Sequence, residues 1–480
     1  MPEIFINGQS VQAEAGKNVL EVALANGFYI PYFCWHPALS IAGNCRICCV
    51  QVEGRSWAEI SCNLPVTEGM RILTDSDVVR AQRKATMQFI TLNHPVDCGI
   101  CDKAGECTLQ DYHYAYNGSA SISHEPKVTS TKFHPLSERI LLDNERCILC
   151  SRCVRFTREI SKSNALGIKK RGDESLLRAA EDHPLDGDAY SDNVIDICPV
   201  GALLSRKFLY QARVWYLKPT PSVCPGCSRG CAVDLWYRKP EWHVKALDRA
   251  QNTKLMRVTP HGAPGPDGPW ICNKGRDLAA IFERPRALQP MLKGREATID
   301  AAVAAARLLL DTARRPVALV SSYASNEELA AFRDAFGARL TVFIKHDQVA
   351  QEGEVVEDDF LIRADKNPNT AGARAVFGDD ADREPVFPAD TDVVVVWGEG
   401  FDFAQLPSRA KVVFLNAYLQ PENGHADVFF PVSLQTERAG HYTNCDGRVQ
   451  AFSPAVPRPP LVVDVADLVT RLAAIPVAAP

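Results

Sequence analysis

Over residues 1–76, apolar positions come in short runs of strand length separated by turn residues. Ile4-Phe5-Ile6 and Val50-Gln51-Val52 read as strands, followed by turns at Asn7-Gly8 and Glu53-Gly54. One helix is predicted near Asn18–Asn26, ending at Gly27. Residues 76–93 are predicted as an amphipathic helix with Val78, Ala81, Ala85, Phe89 and Leu92 on its apolar face. It should stop at His94-Pro95, because proline disfavours helical geometry in the residue before it. Residues 114–136 are polar and read as a loop, and residues 140–215 hold two short helical stretches around cysteines. Pro260–Pro269 (PHGAPGPDGP) reads as a Pro/Gly loop.

The texture changes after about residue 285. Thr298–Ala313 and Glu327–Phe336 have helical patterns, the second ending at Gly337. Val317–Ser321, Leu340–Ile344, Val393–Trp397 and Val412–Leu415 are continuous apolar runs of strand length. This alternation predicts a doubly wound parallel sheet. No apolar run approaches the ~18 residues of a membrane-spanning helix. Met1–Gly8 shows no basic leader followed by an apolar stretch, so a soluble cytoplasmic protein is expected.

Composition is that of ordinary globular protein, with 46% hydrophobic and 23% charged residues. The net charge of −5 argues against a dedicated nucleic-acid binder. The cysteines change the picture. There are 17, and only Cys445 lies beyond Cys272. In a reducing compartment, clustered thiols are metal ligands more often than disulfides.

Four sets stand out. Cys34, Cys45, Cys48 and Cys62 include a C-x2-C pair on a turn. Four thiolates suit zinc or an iron–sulfur cluster, and the small β setting suggests a [2Fe–2S] site, though the spacing exceeds the plant-type C-x4-C-x2-C. Cys49, next to Cys48, should point elsewhere as a structural thiol. His94, Cys98, Cys101 and Cys107 form a His/Cys3 set that suits structural zinc or a [4Fe–4S] cluster. Cys147, Cys150 and Cys153 form C-x2-C-x2-C. In two-cluster ferredoxins this run continues x3-C-P, the last cysteine serving the other cluster. Here Thr157 takes that position, and the C-P pair appears at Cys198-Pro199. The trio that would precede it is replaced by Asp188, Ser191 and Val194. What survives, Cys147, Cys150, Cys153 and Cys198, is one complete [4Fe–4S] set. Cys224, Cys227, Cys231 and the distant Cys272 form the fourth, for which a zinc ribbon is the alternative. Lys274 would place a positive charge beside it. The four sets use 15 of 17 cysteines and one of 11 histidines. No P-loop is present, and Gly398-Glu399-Gly400 lacks the third glycine of a dinucleotide fingerprint.

The sets, in this order and within HPVDCGICDKAGECTLQD, CILCSRCVRFTREI and DICPVGAL, resemble the large peripheral iron–sulfur subunit of respiratory complex I, the G-subunit family of NADH–quinone oxidoreductase. The likeness covers about residues 1–290. The remainder, especially His425–Phe452 with Glu437, Gly440, Asn444 and GRVQAF, resembles the molybdopterin-oxidoreductase fold. The resemblance implies a multidomain α+β and α/β chain. Residues 1–77 would be a β-grasp [2Fe–2S] domain, 78–117 a His/Cys3 [4Fe–4S] module with His94 as ligand, and 138–216 a ferredoxin-like [4Fe–4S] module. Residues 217–285 would carry a further [4Fe–4S] cluster, which only some members keep, and 286–480 a truncated molybdopterin-oxidoreductase-like scaffold. No cysteine between residues 273 and 444 could ligate molybdenum, so neither molybdenum nor tungsten is expected.

The expected function is electron relay from a flavin-bearing, NADH-oxidising partner toward quinone-side iron–sulfur subunits, with no catalytic residue in the chain itself. The protein would sit at the inner face of the membrane through its partners, without a span of its own. An alternative is the electron-transfer subunit of a soluble NAD-linked hydrogenase or formate dehydrogenase complex. An iron-only hydrogenase or a molybdenum formate dehydrogenase is a third reading, but the catalytic cysteines each needs are missing.

Overall fold

Asn7 and Gly8 take positive φ of 52° and 83°. That geometry suits a two-residue hairpin turn. It folds β1 (Glu3–Ile6) back antiparallel onto β2 (Gln9–Gln12). The computed structural model describes residues 1–182, 184–244, 249–261 and 268–473. They fall into two compact units, Met1–Tyr216 and Leu217–Pro480.

In the first unit, α1 (Val19–Ala25) is held by a capping box: the Asn18 side chain accepts from Glu21 N, and the Glu21 carboxylate accepts from Asn18 N. With β3 (Cys49–Val52), β4 (Ala58–Ile60) and β5 (Arg71–Leu73), the hairpin forms a five-stranded sheet of order β2-β1-β5-β3-β4. Ile4, Ile6, Leu20, Val50 and Ile72 pack beneath it, with Cys48 and Cys62 in the same core.

α2 (Asp77–Leu92) starts on a Ser76 cap and stops at Asn93, just before His94-Pro95. Its buried face is not the predicted one. Val79, Arg83, Thr86 and Met87 are buried, whereas Ala81 and Phe89 are exposed, Phe89 by 77%. The buried arginine explains the error. Arg83 donates from Nη2 to Cys49 O at 3.0 Å, so an ionic side chain holds the inner face against β3. α3 (Thr108–Tyr112) runs into a wide turn that ends at Gly118, and an irregular stretch follows. β6 (His134–Pro135), β7 (Ile140–Leu142), α4 (Arg152–Glu159), β8 (Leu166–Lys169), β9 (Leu176–Ala179), α5 (Asn193–Ile197) and β10 (Leu203–Ser205) complete the unit. α4 and α5 are the two short helices expected around the cysteines.

The second unit opens with an antiparallel sheet of β11 (Leu217–Val223), β12 (Ala232–Arg238) and β13 (Arg257–Pro260). Residues 262–267 of the predicted Pro/Gly loop lie outside the described residues. α6 (Asn273–Arg276) and α7 (Ala279–Phe282) lead to β14 (Met291–Leu292), β15 (Arg295–Glu296), α8 (Ile299–Thr312), β16 (Val317–Ser321), α9 (Asn326–Phe336) and β17 (Thr341–Lys345). Next come α10 (Thr370–Phe377), β18 (Val393–Trp397), β19 (Lys411–Asn416), α11 (Pro421–His425) and β20 (Val428–Pro431). A hairpin of β21 (Gly440–Thr443) and β22 (Val449–Phe452) precedes α12 (Val465–Ala473).

Among the described residues the main sheet has seven strands in the order β15-β14-β20-β19-β18-β16-β17. Two corrections to the doubly wound parallel expectation follow. The sheet is mixed, because β14 runs antiparallel to both β15 and β20. The long helices also gather on one face, where Val303, Leu310, Phe332, Leu468 and Leu472 pack on Val320, Val395 and Leu415. The other face, with Leu319, Val394, Val396 and Phe414, is covered by Phe387, Phe401, Phe403 and Leu406 from irregular segments. Continuous apolar strands reveal two buried faces, but not what buries each. Among the described residues no helix is long and apolar enough to cross a membrane.

Candidate metal centres

The first set closes around the loop between α1 and β3. Cys34 and Cys48 are buried there, and Cys62 sits on the turn after β4. Cys34 N donates to Cys45 Sγ at 3.5 Å. The thiols pair as Cys34 with Cys45 and Cys48 with Cys62. The bond from the Cys45 thiol draws Cys34 down to about 5, and the bond from Cys62 draws Cys48 down to about 7. Cys45 and Cys62 rise in turn, from those same bonds and then from burial. Within each pair the sulfur that accepts the bond is shifted toward the thiolate, the form that binds metal. Cys49 turns the other way, its Sγ 3.8 Å from Val79 O on α2.

In the second set, His94, Cys98 and Cys107 line one cavity of about 410 Å³ between the end of α2 and α3. Cys101 is buried, and a Cβ on Gly201 would collide with its Sγ, so only glycine fits there. Burial first, then the charges of Arg146 and Lys127, hold His94 down to about 4. Its ring is therefore neutral at ordinary pH, the form that ligates metal. Arg146, 1% exposed, pairs with Asp97 at 3.0 Å and Asp143 at 3.2 Å.

Cys147, Cys150, Cys153 and Cys198 of the third set line a single cavity with Ile148, Leu177, Val200 and Leu203. Leu149 and Ser151 take positive φ of 53° and 60°, which curls the C-x2-C-x2-C run around it. Burial raises Cys147 to about 12 and Cys150 to about 11, and pushes Cys153 well up. Uncharged thiols are favoured here until a cation or cluster pays for the charge. Thr157 donates to Val154 O within its own helix. Asp188 accepts from Ser161 and Ser163 at 2.6 and 2.7 Å. Thr157 and Asp188, at two of the positions a second cluster would need, are thus engaged in local structure.

In the second unit, Cys224 N donates to Cys231 O at 2.9 Å. Cys272 precedes α6, and a Cβ on Gly275 would sit 3.3 Å from Cys224 Sγ and 3.9 Å from Cys272 Sγ. Burial raises both of those thiols. Lys274, expected to set a positive charge beside this set, also pairs its ammonium with Glu354 at 2.6 Å. Cys445 is exposed, while its backbone N donates to Ser228 O at 2.8 Å.

Among the described residues, no three His, Cys, Asp or Glu stand close enough to hold a single metal ion. The donor chemistry of the four sets, sulfur-rich and largely buried, fits polynuclear iron–sulfur ligation. The first and third sets are also tied together. Asn44 donates to Leu149 O at 3.1 Å, and Arg155 on α4 donates to the Cys34, Ser40 and Cys150 carbonyls. Sequence patterning misses Arg155 and its neighbour Arg152, although both stand inside CILCSRCVRFTREI. Charged residues at helical spacing look like a solvated face until a partner surface is known.

Three family models match the chain. They are a 2Fe-2S iron-sulfur cluster binding domain at residues 2–77, an NADH-ubiquinone oxidoreductase-G iron-sulfur binding region at 83–121, and an NADH-quinone oxidoreductase subunit 3 ferredoxin-like domain at 137–204. The chain is 36% identical over 301 residues to the mitochondrial NADH dehydrogenase [ubiquinone] iron-sulfur protein 1 of Solanum tuberosum, covering 62% of this chain and 38% of the relative. It is 35% identical over 302 residues to the NADH-quinone oxidoreductase G subunit of Streptomyces coelicolor, covering 62% and 34%. It thus spans less than half the length of these relatives. A chain in a solved NAD+-reducing [NiFe]-hydrogenase is 32% identical, covering 44% of this chain and 91% of that one, with a TM-score of 0.40.

Proposed function

We propose that this chain, homologous over about 300 residues to the NADH-quinone oxidoreductase G subunit and its mitochondrial counterpart, is an electron-relay subunit of an NADH-oxidising, quinone-reducing complex. The observation that carries the reading is the convergence of Cys147, Cys150, Cys153 and Cys198 on one buried cavity, inside a matched ferredoxin-like domain. Cys34, Cys45, Cys48 and Cys62 would hold a [2Fe–2S] cluster. His94 with Cys98, Cys101 and Cys107, the Cys147 set, and Cys224, Cys227, Cys231 and Cys272 would each hold a [4Fe–4S] cluster. When bound, the clusters take up and release single electrons. The protein's own residues set spacing, exclude water and fix the surrounding charge.

The domain limits follow the same reading: 1–77, 78–117, 138–216, 217–285 and 286–480. The last would be a molybdopterin-oxidoreductase-like scaffold without molybdenum. Its seven-stranded sheet and the β21–β22 hairpin beside Asn444 support that assignment. The partners would be a flavin-bearing subunit on one side and quinone-side iron–sulfur subunits on the other, with attachment to the membrane through them.

The test is reduction by NADH. In the complex purified with its flavin-bearing partner, NADH should reduce the centres of this chain, seen by EPR. The single chain should oxidise neither NADH nor formate and evolve no hydrogen. Turnover by the single chain, with molybdenum or tungsten by elemental analysis, would overturn the proposal.

A further inference from the structure

Arg152 and Arg155 are buried, 8% and 4% exposed, on the helix that carries Cys153. Arg152 donates to Trp35 O at 2.6 Å and to Ile197 O at 3.1 Å. Trp35 follows Cys34, and Ile197 precedes Cys198. Arg155 donates to the carbonyls of Cys34 and Ser40, and to Cys150 O at 3.4 Å. Each guanidinium therefore reaches from the first cysteine loop to the third set.

These hydrogen-bond partners are all neutral. No carboxylate of the described residues is in ion-pair contact with either guanidinium. Glu159, whose charge reaches Arg155, is engaged elsewhere: it accepts from the Ser40 hydroxyl and backbone N at 2.6 and 2.8 Å and from Arg158 at 2.9 Å. A buried cation without a counter-ion is costly. The Arg152 guanidinium lies 5.8 Å from the Tyr32 ring, a neutral neighbour as well.

We infer that Arg152 and Arg155 are the shared counter-charge of the first and third sets, positioning residues that hold the two cysteine loops together and favour the reduced form of both centres. This rests on the proposed reading of both sets as iron–sulfur ligands. On reduction one electron enters a centre and no bond forms or breaks, so the negative charge on the site grows by one. Two fixed cations in the wall between the centres offset that growth.

The experiment is redox-titrated EPR on the anaerobically purified full chain, with dithionite as reductant. The wild type is compared with Arg152→Gln, Arg152→Lys, Arg155→Gln and Arg155→Lys. Each Gln variant should make both centres about tenfold harder to reduce, about 59 mV per one-electron centre, and leave the His94 centre unchanged. The Lys variants should hold wild-type potentials. If a Gln variant loses its clusters while the Lys variant keeps them, charge is again the operative property. Gln variants with unchanged potentials would overturn the inference, and so would equal loss of clusters in the Lys and Gln variants, since shape would then be what counts. A wild type without clusters at these two sets would overturn the proposed function instead.

Discussion

The cysteine-bearing first unit and the seven-stranded sheet of the second are built on different principles. In the first unit the strands, and the helices other than α2, are short, cysteines occupy core positions, and Arg83, Arg146, Arg152 and Arg155 are buried. In the sheet, β16 and β18 are buried at every position, and aromatic and aliphatic side chains from α8, α9 and α12 close one face. The sheet can stand on apolar burial alone. The first unit gathers thiols and buried arginines in its interior, Arg146 paired with Asp97 and Asp143 but Arg152 and Arg155 on neutral partners, an arrangement that metal binding would favour.

The sharpest way to break this contrast is to remove iron. Chelation under reducing, anaerobic conditions should strip amide-exchange protection from the loops at 34–48 and 147–153 and from α4. The strands Val317–Ser321 and Val393–Trp397 should keep theirs. Equal loss in both regions, read by hydrogen exchange with mass spectrometry, would show that the sheet also depends on the clusters.

The converse perturbation is Phe332→Ala. Phe332 is 1% exposed, with its ring 4.9 Å from Phe336 and 5.9 Å from Trp397. Truncation should cost the second unit about 3–5 kcal/mol. Thermal unfolding should show that transition fall while the visible absorption of the first unit's centres is unchanged.

A smaller effect separates the regions by pH. Hydrogen bonding to Asp365, and then to Asp382, lifts His346 to about 9 against the opposing effect of burial. Arg374 also pairs with Asp382, so the carboxylate is shared between two cations. A raised histidine pKa means that its stabilisation is full below the unfolded value of about 6.5 and is lost as pH rises through about 9. The melting temperature of the second unit should therefore fall between those limits in the wild type. In His346→Gln that slope should be absent. Because the histidine is partly exposed, the change should be a few degrees at most.

The same contrast decides what the sequence revealed. Local signals were legible: a helix near Asn18–Asn26, Asn7-Gly8 as a turn, and Val393–Trp397 as a strand. The C-x2-C runs were legible because their spacing is local, whereas Cys198, 45 residues beyond Cys153, comes to the same cavity as its run only through the fold. The inner face of α2 was not, because Arg83 and Thr86 are buried by contacts with a distant strand and do not register as apolar. The roles of Arg152 and Arg155 escaped for the same reason, since their partners Trp35, Cys34 and Ser40 lie far away along the chain. The cover on the second face of the sheet was hidden because irregular segments supply it with scattered phenylalanines.

Metal content tests the central claim most directly. Anaerobically purified full-length chain, measured for iron and zinc together, should carry about 14 iron atoms, two in one [2Fe–2S] and twelve in three [4Fe–4S] centres, with no stoichiometric zinc. About ten iron atoms would remove only the set of Cys224, Cys227, Cys231 and Cys272 from the relay. Stoichiometric zinc in place of iron at the His94 or Cys147 sets would contradict the account.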